Sequence, residues 1–126
     1  MLPFPVEIKP GLPIAEQVMF AVKKAVATAQ LRPGDAFPSV RQLSHELKIN
    51  PNTAHKIIGA LVTEGVLVAT PAVGTTVAEP PTGNRQEKTA FLNAEIERLI
   101  VEATTLGLTP TDLKTAIDRQ WKVLKT

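Results

Sequence analysis

The sequence predicts a mainly α-helical protein with one small β-hairpin, in which a three-helix domain closed by the hairpin is followed by two further helices. Three observations carry this expectation. Apolar residues recur at helical spacing in five separate stretches. One pair of β-branched runs, residues 66–70 and 75–78, is joined by Pro71-Ala72-Val73-Gly74, the pattern of a hairpin. Between the two groups of helices, Glu79-Pro80-Pro81-Thr82-Gly83-Asn84 has almost no apolar side chains and reads as a linker.

The first helix starts at Pro13, with Ile14, Val18, Val22 and Val26 every fourth residue, Met19 and Ala25 widening the stripe, and Lys23 and Lys24 facing water. Leu31-Arg32-Pro33-Gly34-Asp35 stops it, because Pro33 presets the first corner of a type II turn and Gly34 accepts the positive φ of the second. Ser39 caps a second helix, with Gln42 three residues on completing a capping box and Val40, Leu43 and Leu47 facing inward. Asn50-Pro51 restarts the chain as N-cap and first helical residue of a third helix. Ala54, Ile57, Ile58, Leu61 and Val62 form its buried stripe, and Gly65 ends it. Three helices and a terminal hairpin make a winged helix-turn-helix domain over residues 1–80.

Residues 81–126 are expected to hold the rest of the linker and a helical dimerisation hairpin. Leu92, Ile96, Leu99, Ala103 and Leu106 alternate steps of four and three, a heptad seam that Gly107 terminates. Thr109 then caps a last helix with Pro110 at its first position and Asp112 near its positive end, and Leu113, Ile117, Trp121 and Leu124 point inward. Together these nine apolar positions exceed what one two-helix hairpin can bury, so a second copy of the chain is the expected partner.

Composition bounds the function. At 126 residues the chain is one domain with an appendage, short for an enzyme cleft, and 44% hydrophobic residues with 4% aromatics indicate an ordinary aliphatic core. There are no cysteines, which excludes disulfides, Fe–S clusters and thiolate metal sites. His45 and His55 read as surface residues, so neither a metal nor another cofactor is expected. The start, Met1-Leu2-Pro3-Phe4-Pro5, has neither a basic nor an apolar leader pattern, and no run approaches a membrane span, which makes a cytoplasmic location the expectation. Fourteen basic against twelve acidic residues leave a net charge of +2, shared equally by residues 1–80 and 81–126. A basic surface must therefore come from local arrangement. No catalytic constellation is expected: the order of Ser, His and Asp matches no hydrolase, and no Gly-rich phosphate loop occurs.

The second helix of a helix-turn-helix lies in the major groove, and its first turns meet base edges. Subtracting the buried stripe of the third helix leaves Asn52, His55 and Lys56 outward, with Thr53 at the flank. Asn52 suits a bidentate pair with adenine, while Thr53 and Lys56 suit phosphate or guanine. Lys48, and Lys23 or Lys24 of the first helix, are further candidates for phosphate contact. Arg41 stands in the first turn of a capped helix, where backbone N–H groups already favour an anion.

Pro13-Ile14 with Glu16-Gln17, Leu31-Arg32-Pro33-Gly34-Asp35, Phe37-Pro38-Ser39-Val40-Arg41, Asn52-Thr53, Glu64-Gly65 and Gly74-Thr75 together resemble the GntR family of transcription regulators. The short helical tail and Asn50-Pro51-Asn52-Thr53 are most similar to its YtrA-like branch, whose tail is a dimerising helix pair. The resemblance implies a repressor of inverted-repeat operators, a base-reading Arg41 beside Ser39, recognition-helix contacts from Asn52, Thr53 and Lys56, and Gly74 at the wing tip. Pro51 and Gly59 replace residues that are commonly basic in the wider family, and residues 69–73 of the wing contain no cation. The implied partners are double-stranded DNA and a second copy of the chain, with no membrane; a small-molecule effector is left open by the sequence. Two other classes fit a winged helix: a protein-binding module and a nonspecific DNA binder.

Overall fold

The computed structural model describes residues 1–80 and 83–125; Pro81 and Thr82 of the expected linker lie outside the described residues. The chain divides into two compact units, Met1–Pro80 and Pro81–Thr126.

In the first unit, α1 (Ile14–Ala27), α2 (Val40–Leu47) and α3 (Pro51–Thr63) precede an antiparallel pair, β1 (Leu67–Thr70) and β2 (Gly74–Val77). The register is Leu67 with Val77, Val68 with Thr76, Ala69 with Thr75 and Thr70 with Gly74. Residues 34–37 add a third rung that the sequence pattern does not reveal. The Gly34 N–H donates to the Val77 carbonyl at 2.8 Å, the Phe37 N–H to Thr75 at 2.9 Å and the Val77 N–H to Asp35 at 2.9 Å, with Ala36 bridged to Thr76. The arrangement is a winged helix. Its core joins Val18, Val22 and Ala25 of α1, Leu43 of α2, Ala54, Ile57, Ile58 and Leu61 of α3, and Leu67 and Val77 of the hairpin, with Leu31, Phe37 and Phe4 closing the edges.

The expected stripes hold at their centres and weaken at their ends. Ile14 is exposed and Val26 half-buried on α1, and Val40 and Leu47 are half-buried on α2, where Ser44 is buried and donates its hydroxyl to the Arg41 carbonyl at 3.0 Å. Ser39 Oγ accepts from the Gln42 N–H at 3.1 Å, which is one half of the capping box. Asn50 Oδ1 accepts from the Asn52 N–H at 2.7 Å, with Pro51 as the first helical residue. Helix α2 ends on Lys48 with φ +54°, where the Lys48 N–H reaches His45 at 3.4 Å and the Ile49 N–H reaches Ser44 at 3.0 Å. This pair of bonds is a Schellman motif, which normally recruits glycine.

At the wing, Gly74 is not the tip. It opens β2 opposite Thr70, so the loop is Pro71-Ala72-Val73, closed by the Val73 N–H on the Thr70 carbonyl at 3.2 Å with Ala72 at φ +68°.

In the second unit, α4 (Arg85–Thr105) is capped by Asn84 and α5 (Pro110–Lys125) by Thr109. The Asp112 N–H donates to Thr109 Oγ1 at 3.2 Å and the Thr109 N–H donates back to Asp112 Oδ2 at 2.8 Å, a reciprocal cap with aspartate in the usual glutamate place. The expected inward seam does not close within one chain. Ala103 is buried and Leu113 half-buried, but Leu92, Ile96, Leu99, Leu106, Ile117, Trp121 and Leu124 are exposed, Trp121 to 66%. Most of the apolar rows of α4 and α5 are thus left without cover within the chain.

Candidate nucleic-acid interface

The interface rests on the α2–α3 pair. Leu43 of α2 and Ala54, Ile57, Ile58 and Leu61 of α3 share the core, which fixes which sides of both helices face out. Asn50 at the cap and Pro51 at the first position aim the opening turn of α3. In that turn and the next, Asn52, His55 and Lys56 are exposed and Thr53 is half-buried. Among the described residues, none of the Asn52, His55 and Lys56 side chains engages another side chain in a hydrogen bond or ion pair. Their donors and acceptors are free for an external partner. At the opposite end of α3, Lys23 of α1 pairs with Glu64 at 2.6 Å. About 18 Å of helix separates this pair from the first turn of α3.

On α2, Ser39 and Arg41 stand at the helix start, with Ser39 Oγ occupied by the Gln42 amide. Arg41 is exposed. An open depression of 830 Å³ lies here, lined by Ser39, Arg41, Gln42, Ser44, His45, Lys48 and Ile49. It contains three basic side chains and no acid. The nearest acid on the helix, Glu46, is paired with the Met1 ammonium, whose hydrogen bond holds the carboxyl below its ordinary range. Composition and motif make His45 an ordinary surface residue; its spacing from Arg41, one helical turn, is the signal that places it on the same face. Gly74 lies apart from these residues, on the wing.

Two further contacts brace this surface from behind. Gln17 of α1 accepts from the Lys9 N–H at 2.7 Å and donates to the Lys9 and Leu12 carbonyls at 3.0 Å each, which fastens the segment before α1. That segment carries Phe4, whose ring stacks on Phe37, two residues before the cap of α2.

A capped recognition helix with an unpartnered polar face, a packed scaffold helix presenting an arginine, and a β-wing define a DNA-binding transcription regulator of the winged-helix class. The profile of the bacterial regulatory proteins of the gntR family matches residues 14–77, half of the chain, and the chain belongs to that family. It is 29% identical over 104 residues to the HTH-type transcriptional repressor YtrA of Bacillus subtilis (strain 168), covering 82% of this chain and 80% of that protein. Among solved structures, a transcriptional antiterminator from Listeria monocytogenes EGD-e superposes with a TM-score of 0.83 at 23% identity, over 98% of this chain and 92% of that one. The DNA-binding domain of AraR in complex with operator ORX1 matches with a TM-score of 0.52 at 25% identity, over 59% of this chain and 95% of that one. The family consists of regulators, and this chain is one of them and not an enzyme. Among the described residues, no helix is long and apolar enough to cross a membrane.

Proposed function

We propose that the protein is a homodimeric repressor that occupies an inverted-repeat operator in the cytoplasm, with residues 1–80 as the DNA-binding domain and 81–126 as the linker and dimerisation hairpin. The observation that carries this reading is the unpartnered face of α3, where Asn52, His55 and Lys56 are solvent-exposed beside Thr53. In this reading Arg41 and Asn52 meet base edges, Thr53, His55 and Lys56 position the strand, Ser39 fixes the start of α2 against the backbone, and Gly74 shapes the wing.

The exposed apolar rows of α4 and α5 support the dimer. Leu92, Ile96, Leu99, Leu106, Ile117, Trp121 and Leu124 share two helices with little else to bury them, and a second copy supplies the missing surface as a four-helix arrangement. A two-fold dimer reads two half-sites about one helical turn apart, hence an inverted repeat. Repression through operator occupancy is supported by the similarity to YtrA, which is a repressor.

The test is selection of bound duplexes from a random DNA pool by the full-length chain, with light scattering of the same sample. An enriched inverted repeat bound by a dimer is the expected result. Enrichment of single half-sites by a monomer refutes the assembly, and an unenriched pool refutes specific recognition.

A further inference from the structure

Helix α2 presents Arg41 from its first turn, yet it is only eight residues long, and of its apolar side chains Leu43 alone is fully buried, with Val40 and Leu47 half-buried. A single buried anchor near the middle of a short helix holds its ends weakly. The start of α2 is fixed from outside the helix, by Phe37, two residues before the Ser39 cap. Phe37 is buried, its ring stacked on Phe4 with centroids 5.7 Å apart and its N–H donated to the Thr75 carbonyl at 2.9 Å. The placement of Arg41 thus depends on what holds Phe4.

Phe4 belongs to residues 1–13, which form neither helix nor strand. Without a regular backbone ladder, such a segment is held by packing and by individual hydrogen bonds. Leu2 and Val6 pack half-buried against the core. Pro3 and Pro5 flank Phe4, and each ring presets its own φ, so a shift further along this stiff segment is carried to the aromatic ring. The remaining tie is Gln17 of α1. Its side chain accepts from the Lys9 N–H at 2.7 Å and donates to the Lys9 and Leu12 carbonyls at 3.0 Å each. Both ends of one carboxamide are used; a carboxylate cannot make the donated bonds, and an apolar side chain can make none of the three.

We propose that Gln17 is a positioning residue for base recognition. Its carboxamide fixes residues 9–12, these hold the Phe4–Phe37 stack in place, and the stack sets the end of α2 from which Arg41 reaches the duplex. The inference rests on the reading above in which Arg41 meets a base edge. A bidentate arginine contact needs its geometry held within about 0.5 Å. A phosphate contact made by a lysine on its flexible stem does not. Loosening the segment therefore degrades what Arg41 reads and leaves nonspecific binding intact.

The experiment measures binding of the full-length chain to operator, to every single-base variant of it and to random duplex, with Gln17→Met and Gln17→Glu. Methionine keeps the length of the side chain and removes all three hydrogen bonds. Glutamate, the milder change, keeps the bond from the Lys9 N–H and loses the two donated ones. Val22→Ala truncates a buried side chain of the same helix with the Gln17 bonds in place and serves as the stability control. Gln17→Met is expected to flatten, by about fivefold, the preference at the base pairs that Arg41→Ala relaxes. Random-duplex affinity and the preference at the base pairs relaxed by Asn52→Ala stay parental. Gln17→Glu shows the same pattern to a smaller extent, and Val22→Ala lowers the thermal midpoint with the preference unchanged. A parental preference in both Gln17 variants, at whatever midpoint, reduces Gln17 to a structural role and overturns this inference alone, as does equal flattening at the Arg41 and Asn52 base pairs. An Arg41→Ala protein with parental preference, or a parent chain that prefers no sequence, overturns the inference together with the reading on which it rests.

Discussion

Phe4 and Phe37 stack with ring centroids 5.7 Å apart and planes 10° from parallel. Both rings are buried, and they join the segment before α1 to the rung that leads into α2. Phe37 is held on its other side by its N–H on the Thr75 carbonyl at 2.9 Å, so the stack lies between the amino-terminal segment and the wing. Phe4→Ala is expected to cost about 3 kcal/mol of stability, because a large buried ring is removed from a packed site. Chemical denaturation of the two proteins measures it; a loss below about 1 kcal/mol shows that the segment is dispensable.

Two helices end on left-handed residues other than glycine. Ala29 has φ +62° after α1, with the Gln30 N–H on the Ala25 carbonyl at 2.8 Å, and Lys48 has φ +54° after α2. Ala29→Gly and Lys48→Gly should each stabilise the domain, by up to about 1 kcal/mol, since relief of the Cβ clash exceeds the entropy glycine adds to the unfolded chain. Thermal unfolding midpoints that fall in either variant would contradict the assigned turn.

Base reading and strand positioning separate by mutation. Arg41→Ala and Asn52→Ala are each expected to lose about 1–3 kcal/mol of operator binding and to relax preference at their own base pairs. Lys56→Ala should weaken operator and random duplex evenly. Binding arrays over all single-base operator variants distinguish the two patterns, and an Arg41→Ala protein with parental affinity and preference removes Arg41 from the interface.

The wing offers Pro71, Ala72 and Val73 at its tip and no cation. A narrow minor groove attracts arginine and lysine. Ala72 already holds a positive φ with a Cβ in place, so Ala72→Arg adds charge without a new backbone demand. The variant should bind operator more tightly with a steeper salt dependence. Equal affinity at low salt would show that the wing stays clear of the duplex.

Asp112 closes the reciprocal cap of α5, and its hydrogen bonds from Thr109, backbone first, hold its carboxyl below the ordinary 3.8. A depressed folded value means stabilisation that is complete above the unfolded value and disappears as pH falls through the folded one. Asp112→Asn should therefore lower the helicity of the tail near neutral pH, with the difference from the parent shrinking steadily below about pH 4. Circular dichroism along an acid titration follows it; a difference that persists unchanged at the acid end rules out the carboxylate as the cap.

Much of this fold is legible in local chemistry. Ser39, Asn50 and Thr109 announce helix starts because their side chains satisfy amide groups two or three residues away. Gly65 and Gly107 announce helix ends because the left-handed turn excludes most other residues, and both have positive φ. The polar face of α3 follows by subtraction once the apolar stripe is assigned. All of these are interactions within a few residues of chain, which a sequence displays directly.

The order of elements, the inward side of each helix in the first unit and the family resemblance thus follow from the residues alone. Long-range packing settles what remains. The Phe4–Phe37 stack, the Gln17 clamp on Lys9 and the rung between Ala36 and Thr76 depend on how separate segments meet, and no local preference encodes them. Ala29 and Lys48 take left-handed turns that their own side chains disfavour, because packing of the flanking helices outweighs a local cost of about 1 kcal/mol. The same reason explains the tail: a heptad pattern states that Leu92, Ile96 and Trp121 need cover, but whether that cover comes from the neighbouring helix or from outside is decided by tertiary packing, and in the folded chain these side chains stay exposed.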